Sequence, residues 1–199
     1  MKPAVGRTGV PAAGAPGARV SGAGVSGAGT VRVWDPLVRA FHWTLAVAFF
    51  GAWVLGDNGG SVHQALGYTV LGLVAVRTVW GVVGSRNARF TSFVPSPLRL
   101  VAYVKDLAAF REKRYLGHNP AGAVMIIALL IALTGTGVTG WLLTTDAFWG
   151  SEALGDVHGA LANGTLALVG LHVAGVLYSS VRHRENLVRA MFTGRKRLH

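Results

Sequence analysis

Two histidines in one apolar stretch constrain this chain more than any other feature. Between Val157 and Tyr178, His158 and His172 stand fourteen residues apart in sequence that is otherwise almost entirely hydrophobic or small. On an α-helix fourteen residues fall about 40° short of four turns and rise about 21 Å, so both imidazoles leave one face at well separated depths. A histidine in hydrocarbon has no water for its ring nitrogens, which makes it costly and by default functional. One helix can therefore present two ligands to two stacked cofactors. The competing reading for either residue alone is an imidazole bonded to a backbone carbonyl or a neighbouring helix.

Composition enters here because it decides whether that stretch lies in a membrane. Of 199 residues 51% are hydrophobic and 14% charged, too apolar for an ordinary soluble domain and long enough for several spans. The expected class is all-α: an integral membrane four-helix bundle with an interfacial helix on its cytoplasmic side. A net charge of +11 raises nucleic acid as a partner, but the basic residues are confined to particular segments and no nucleic-acid motif accompanies them. The absence of cysteine excludes disulfides, thiolate metal sites and covalent haem attachment, so any metal centre must use histidine or oxygen. Trp43, Trp53, Trp80, Trp141 and Trp149 fall near expected span ends or loops, as in an interfacial aromatic belt.

Residues 1–31 are mostly Gly, Ala, Val and Pro without periodicity and read as a flexible tail. No continuous apolar run marks a signal peptide there. Asp35-Pro36 supplies an N-cap and a first-turn proline, opening a helix whose span covers about 40–56 and carries His42 near its start. Asp57-Asn58-Gly59-Gly60 makes a turn, and Ser61 to Gln64 has capping-box spacing for a second span over about 62–84 with His63 in its first turn. Arg77 lies fourteen residues after His63, on nearly the same face. It either snorkels to the nearer surface or clamps a cofactor carboxylate such as a haem propionate.

Residues 85–119 are rich in arginine, and Leu98 to Arg114 alternates apolar and charged residues at helical spacing, the pattern of a helix lying on a membrane. Asn119-Pro120 then caps a third span, about 120–144. Its Thr134, Gly135, Thr136, Gly137, Thr139 and Gly140 permit close helix packing or leave room for a flat ligand. The fourth span covers about 154–181, with Gly159, Ala162, Gly170, Ala174 and Gly175 near its two histidines, and 183–199 reads as a basic tail holding solvated His183 and His199. The membrane domain is thus expected over 32–182.

Basic residues fix the expected orientation. Five of the nineteen precede the first span, seven lie in 85–119 and six follow residue 181, whereas the connections 57–61 and 145–153 hold none. The positive-inside rule puts both termini in the cytoplasm of a multi-pass inner-membrane protein. His42 and His172 then share one leaflet and His63 and His158 the other, giving two cross-helix pairs. Facing imidazoles can supply both axial positions of a haem iron. A second site about 20 Å away along the helix rise makes an electron route across the bilayer. The rival reading is a histidine-based metal or proton transporter without haem, against which the spans contain no intramembrane Asp or Glu.

The chain resembles the bacterial cytochrome b561 and nickel-iron hydrogenase cytochrome b family, four-helix membrane proteins with two b-type haems, over about Val31 to Arg197. The stretches that carry the resemblance are residues 31–43 (VRVWDPLVRAFHW), His63-Gln64-Ala65-Leu66-Gly67-Tyr68, Gly117-His118-Asn119-Pro120, and His158 through His172. The resemblance implies that His42, His63, His158 and His172 are the axial ligands of two haem b, and it favours Arg77 as a propionate partner. It also implies electron transfer between a quinone or quinol pool and a redox protein, with a c-type cytochrome, a hydrogenase-like partner and quinol alone all open. Whether the chain itself reacts with quinol, and so counts as an enzyme, is open, as is pairing with a second copy. His118, beside the Asn119 cap, has either a structural role or one as proton relay or hydrogen-bond partner to a propionate or quinone.

Overall fold

Side-chain caps open the helices that begin at Pro36, Pro120, Glu152 and Leu187, and one chain reversal is set by glycine. The computed structural model describes residues 29–84, 89–113, 115 and 119–197. In it β1 (Thr30–Arg32) is followed by α1 (Pro36–Leu55), α2 (Gly60–Val83), α3 (Pro97–Ala108), α4 (Pro120–Leu142), α5 (Glu152–Arg182), α6 (Leu187–Thr193) and β2 (Arg195–Arg197). Helices α1, α2, α4 and α5 are long and apolar enough to cross a membrane, so the chain is an all-α, four-span membrane protein. Asp35 Oδ1 accepts from Leu37 N at 2.8 Å, and Asn119 Oδ1 from Gly122 N at 2.6 Å, each followed by proline at the first helical position. Those caps satisfy N–H groups that a helix leaves without partners.

The expected capping box at Ser61–Gln64 does not form. Helix α2 begins at Gly60 with Gly59 as an N-cap that makes no side-chain bond, so Ser61 already lies inside the helix. A 3-10 turn over Gly56–Gly59 instead runs straight on from α1, bounded by Gly56 and Gly60, both at φ +47°. L-residues disfavour that region, so the glycines make the reversal.

Helix α1 packs on α2, α2 on α4 and α4 on α5. An apolar plug of Ala48 and Phe49 from α1, Val70 and Val74 from α2, and Leu133 from α4 fills the middle, flanked by Leu166 and Val169 from α5. Hydroxyls add short links: Thr165, fully buried, meets Thr136 at 3.2 Å, and Tyr68 meets Thr144 at 2.8 Å. Outward faces carry exposed Val47, Val54, Val79, Val82, Ile131 and Leu171. Only the hydrocarbon of a bilayer accommodates such a surface while the helices satisfy their own backbone groups.

Residues 183–197 are folded, not a tail. Beyond α5, α6 leads into β2, which pairs antiparallel with β1 in the register Thr30↔Arg197, Val31↔Lys196, Arg32↔Arg195. Val33 N and Trp34 N both donate to Gly194 O, at 2.9 and 3.2 Å. Gly194 has φ +76°, and a Cβ there would come within 2.9 Å of Arg39 Nη1, so this turn needs glycine for both reasons. Trp43 of α1 stacks on Phe192 of α6 with centroids 4.2 Å apart, and Lys196 lies 3.7 Å from Glu185 and over the Trp34 ring. His183, expected in solvent, is half-buried at the α5 C-cap. Residues 1–28 of the N-terminal segment, His118 and His199 lie outside the described residues.

The helix expected over Leu98–Arg114 is also shorter. It ends at Ala108, and Phe110 then takes φ +54°. This break turns Glu112 inward, where its side chain is 1% exposed and its Oε1 accepts from Tyr178 Oη at 3.2 Å and Arg182 Nε at 3.1 Å. Arg182 Nη2 also donates to Phe110 O at 2.5 Å. Burial pushes the Glu112 carboxyl up, but its backbone hydrogen bond, the Tyr178 hydroxyl, Arg182 and His183 together pull it below the ordinary range. Burial pushes the Tyr103 phenol on α3 up, reinforced by Glu112, Tyr115 and Tyr178 and opposed by a hydrogen bond from Asn119.

A carboxyl whose folded pKa is depressed stabilises the fold above its unfolded pKa, and that contribution is lost as pH falls through the folded value. The 110–113 segment should therefore loosen from α5 at acidic pH, below the ordinary carboxylate range. The Glu112→Gln variant should show the loosened state at neutral pH. Limited proteolysis at Arg111 and Lys113 reads both; protection unchanged by acid and by the variant would remove Glu112 from this role.

Candidate functional site

Two histidine pairs occupy the space between α5 and the α1–α2 pair. Among the described residues α5 packs extensively on α4 and not on α1 or α2. Side chains span the interval: His42 of α1 faces His172 of α5 with ring centroids 6.4 Å apart, and His63 of α2 faces His158 of α5 at 6.1 Å. Trp53 Nε1 also reaches across to Asn163 Oδ1 at 3.2 Å. The first pair is tilted at 52° and the second meets edge-on at 79°, separations that also occur in direct edge-to-face ring contacts. Two metal–nitrogen bonds of about 2 Å plus the inner half of each ring sum to about 6 Å, the spacing of imidazoles that share one metal ion.

Hydrogen bonds decide which nitrogen of one pair is presented. His63 Nδ1 lies 3.0 Å from Ala52 O, and His158 Nδ1 lies 3.1 Å from Thr136 O and 3.2 Å from Thr139 Oγ1. A carbonyl only accepts, so in each ring Nδ1 is the donor, and in the neutral ring Nε2 is then the nitrogen with a lone pair to offer. Thr139 spends its own proton on Gly135 O or Thr136 O, at 2.8 and 3.0 Å, which leaves its oxygen to accept from His158. Fixing the tautomer through the second nitrogen is how proteins orient metal-binding imidazoles. In the other pair, His42 Nδ1 is buried with no partner.

The surrounding walls fit a flat, apolar group. A cleft at the His63–His158 level is lined by Phe49, Trp53, Gly67, Gly137, Gly140 and both histidines, the mostly apolar wall with a few polar groups that cofactor sites share. Gly140 lets the His158 ring lie against α4, since a Cβ there would come within 2.9 Å of its Cε1. On α5, Gly159, Gly164, Gly170 and Gly175 have open space where a Cβ would stand. Among the described residues, no three His, Cys, Asp or Glu side chains converge as a metal cluster. Each pair could offer a metal two ligands, and a macrocycle that brings its own nitrogens would supply the rest.

Arg77 does not snorkel to the surface. It is 5% exposed, and its guanidinium lies over the Phe90 ring at 4.9 Å from the centroid. Phe90 in turn packs on Gly81, where a Cβ would overlap the ring. The roles of Thr136, Thr139 and Gly140 beside His158 were hidden within a run of small residues that sequence alone assigns to close packing. Nothing in their spacing separates a threonine that holds a ring from one that bonds its own helix.

The family model described as prokaryotic cytochrome b561 matches residues 33–194. No curated protein and no solved structure matches the chain.

The contact between Gly140 and His158 predicts that Gly140→Ala must turn the ring and lengthen its bond to Thr136 O. Imidazole nitrogen resonances of selectively labelled histidine should report a changed Nδ1–H for His158 and an unchanged one for His63. Identical spectra for variant and parent would mean that the ring is not held against Gly140.

Proposed function

This chain belongs to the prokaryotic cytochrome b561 family, bacterial membrane cytochromes that bind b-type haem and transfer electrons, and from that membership we propose that it holds two such haems, one between His42 and His172 and one between His63 and His158. The observation that carries the reading is the pair of ring separations, 6.4 and 6.1 Å. Haem iron, when bound, supplies reversible one-electron chemistry. The protein's part is to ligate, orient and insulate. His63 and His158 present Nε2 because their Nδ1 protons are committed to Ala52 O and Thr136 O. Two imidazoles per iron leave no position for oxygen or substrate, which suits electron transfer and not bond-making chemistry.

The Phe49–Val70–Val74–Leu133 plug lies between the two levels, and fourteen residues of α5 separate them by about 21 Å along the helix. A haem at each level would let electrons cross most of the hydrocarbon between fixed sites, and the plug's part is to keep water out. Arg77, buried in the last two turns of α2, balances a propionate of the haem at the His42–His172 level. The basic segments lie on the side where α1 begins and α5 ends, which supports cytoplasmic termini. In this arrangement the chain links a quinone or quinol pool to a partner redox protein, for which a c-type cytochrome and a hydrogenase-like enzyme both qualify, and a homodimer would double the route.

Purified protein should give two haems per chain by pyridine haemochrome, with low-spin bands in oxidised and dithionite-reduced spectra. His158→Ala and His172→Ala should each retain one haem, and the two residual haems should differ in midpoint potential. Two haems retained by either variant would refute the ligand pairs, and a haem-free parent made with ample haem would refute the two-haem reading.

A further inference from the structure

Among the described residues, three buried nitrogen donors at one end of the α1–α2 pair have no acceptor: Arg39 Nε, Trp43 Nε1 and Trp80 Nε1. Buried donors are rarely left unpaired, and each needs an explanation such as an ion or ligand group. A guanidinium needs one most, because it cannot shed its charge. Here the three are not scattered. Arg39 stands three residues before His42, on the same helix face, and the Trp43 indole meets the His42 ring edge-on at 5.1 Å. Trp80 stands three residues after Arg77 on α2, which packs directly on α1.

Depth brings the two helices' donors level. Arg39 lies three residues from the start of α1 and Trp80 three from the end of α2, so in an antiparallel pair both sit about one turn outside His42. The cap closes over this set: Phe192 stacks on Trp43, and the Gly194 turn lies against Arg39. The three donor atoms are buried, while each residue as a whole is half-buried.

Resting on the assignment of a haem to His42 and His172, we propose that Arg39, Trp43 and Trp80 form an oxyanion-binding set that takes that haem's carboxylates. The chemistry is hydrogen bonding and charge pairing with a carboxylate, which a guanidinium and indole N–H groups both supply. Carboxylates avoid hydrocarbon, so the edge of the macrocycle that bears them points to the nearer surface, one turn outward from the ligand. Arg39 and Arg77 then bring two positive charges to two carboxylates. A lipid phosphate is the other oxyanion that could satisfy the same donors.

The test is redox-induced infrared difference spectroscopy on full-length protein loaded with haem carrying ¹³C-labelled carboxyl groups, together with phosphorus analysis of the purified protein. In Arg39→Leu, Trp43→Phe and Trp80→Phe the labelled carboxylate bands should shift, whereas Trp149→Phe, in an exposed loop, should leave them in place. Arg39→Lys should restore the bands in part, and Arg39→Leu should lower the midpoint potential of the haem at His42, since a lost cation favours the oxidised form. The Trp→Phe variants keep an aromatic ring, so they remain informative if Arg39→Leu fails to fold. Unmoved bands in all three variants, with both haems still bound, would overturn the proposal while leaving the two-haem reading intact. Unmoved bands with loss of bound phosphorus would overturn it in favour of lipid. A parent that carries no haem at His42 and His172 would overturn both.

Discussion

The interval between α5 and the α1–α2 pair is the constraint on which the rest of this structure depends. A helix in a bilayer gains little by associating through apolar surface alone, because lipid tails are as apolar as its neighbours. Helix α5 is held on one side by close packing with α4, including the buried Thr136–Thr165 contact. On its other side it is bridged by two imidazole pairs and the Trp53–Asn163 bond. Its glycines leave that interval wide and its histidines span it.

The two levels of the bundle are built unequally. At the His63–His158 level both rings are anchored through Nδ1 to carbonyls, so orientation is set by the helices themselves. At the His42–His172 level the rings are enclosed by elements from both ends of the described chain, with Trp43 under Phe192 and the β1–β2 ribbon closing over Arg39. One site is positioned by second-partner hydrogen bonds and the other by a folded cap. If both levels hold a haem, as proposed, the difference would give the protein a physical means of separating the two, through ring orientation at one and buried charge at the other.

Much of the fold was legible because its signals are local. The Asp35-Pro36 and Asn119-Pro120 caps act within one turn, and apolar length alone marks the spans. The failures have a shared cause. Ser61–Gln64 has capping-box spacing, but a continuous turn from α1 through Gly56 and Gly60 makes the cap unnecessary. Leu98–Arg114 has helical periodicity throughout, yet the chain leaves the helix at Ala109 because Glu112 finds Tyr178 and Arg182 on α5. The basic segment after residue 182 looked like a tail because its partners, β1 and Trp43, lie some 150 residues earlier.

The sequence by itself determined the all-α four-span class and the family, since span length, caps and motif stretches are written in contiguous residues. It also limited which histidines could meet, because fourteen-residue spacing on one helix and an even number of spans assign each to a leaflet. Only the tertiary structure decided how far apart the rings stand, which nitrogen His63 and His158 present, and that Arg77 is buried against Phe90 instead of reaching the surface. Those outcomes depend on how helices distant in sequence pack, and a carbonyl from Ala52 or Thr136 becomes a histidine's partner only after that packing is complete.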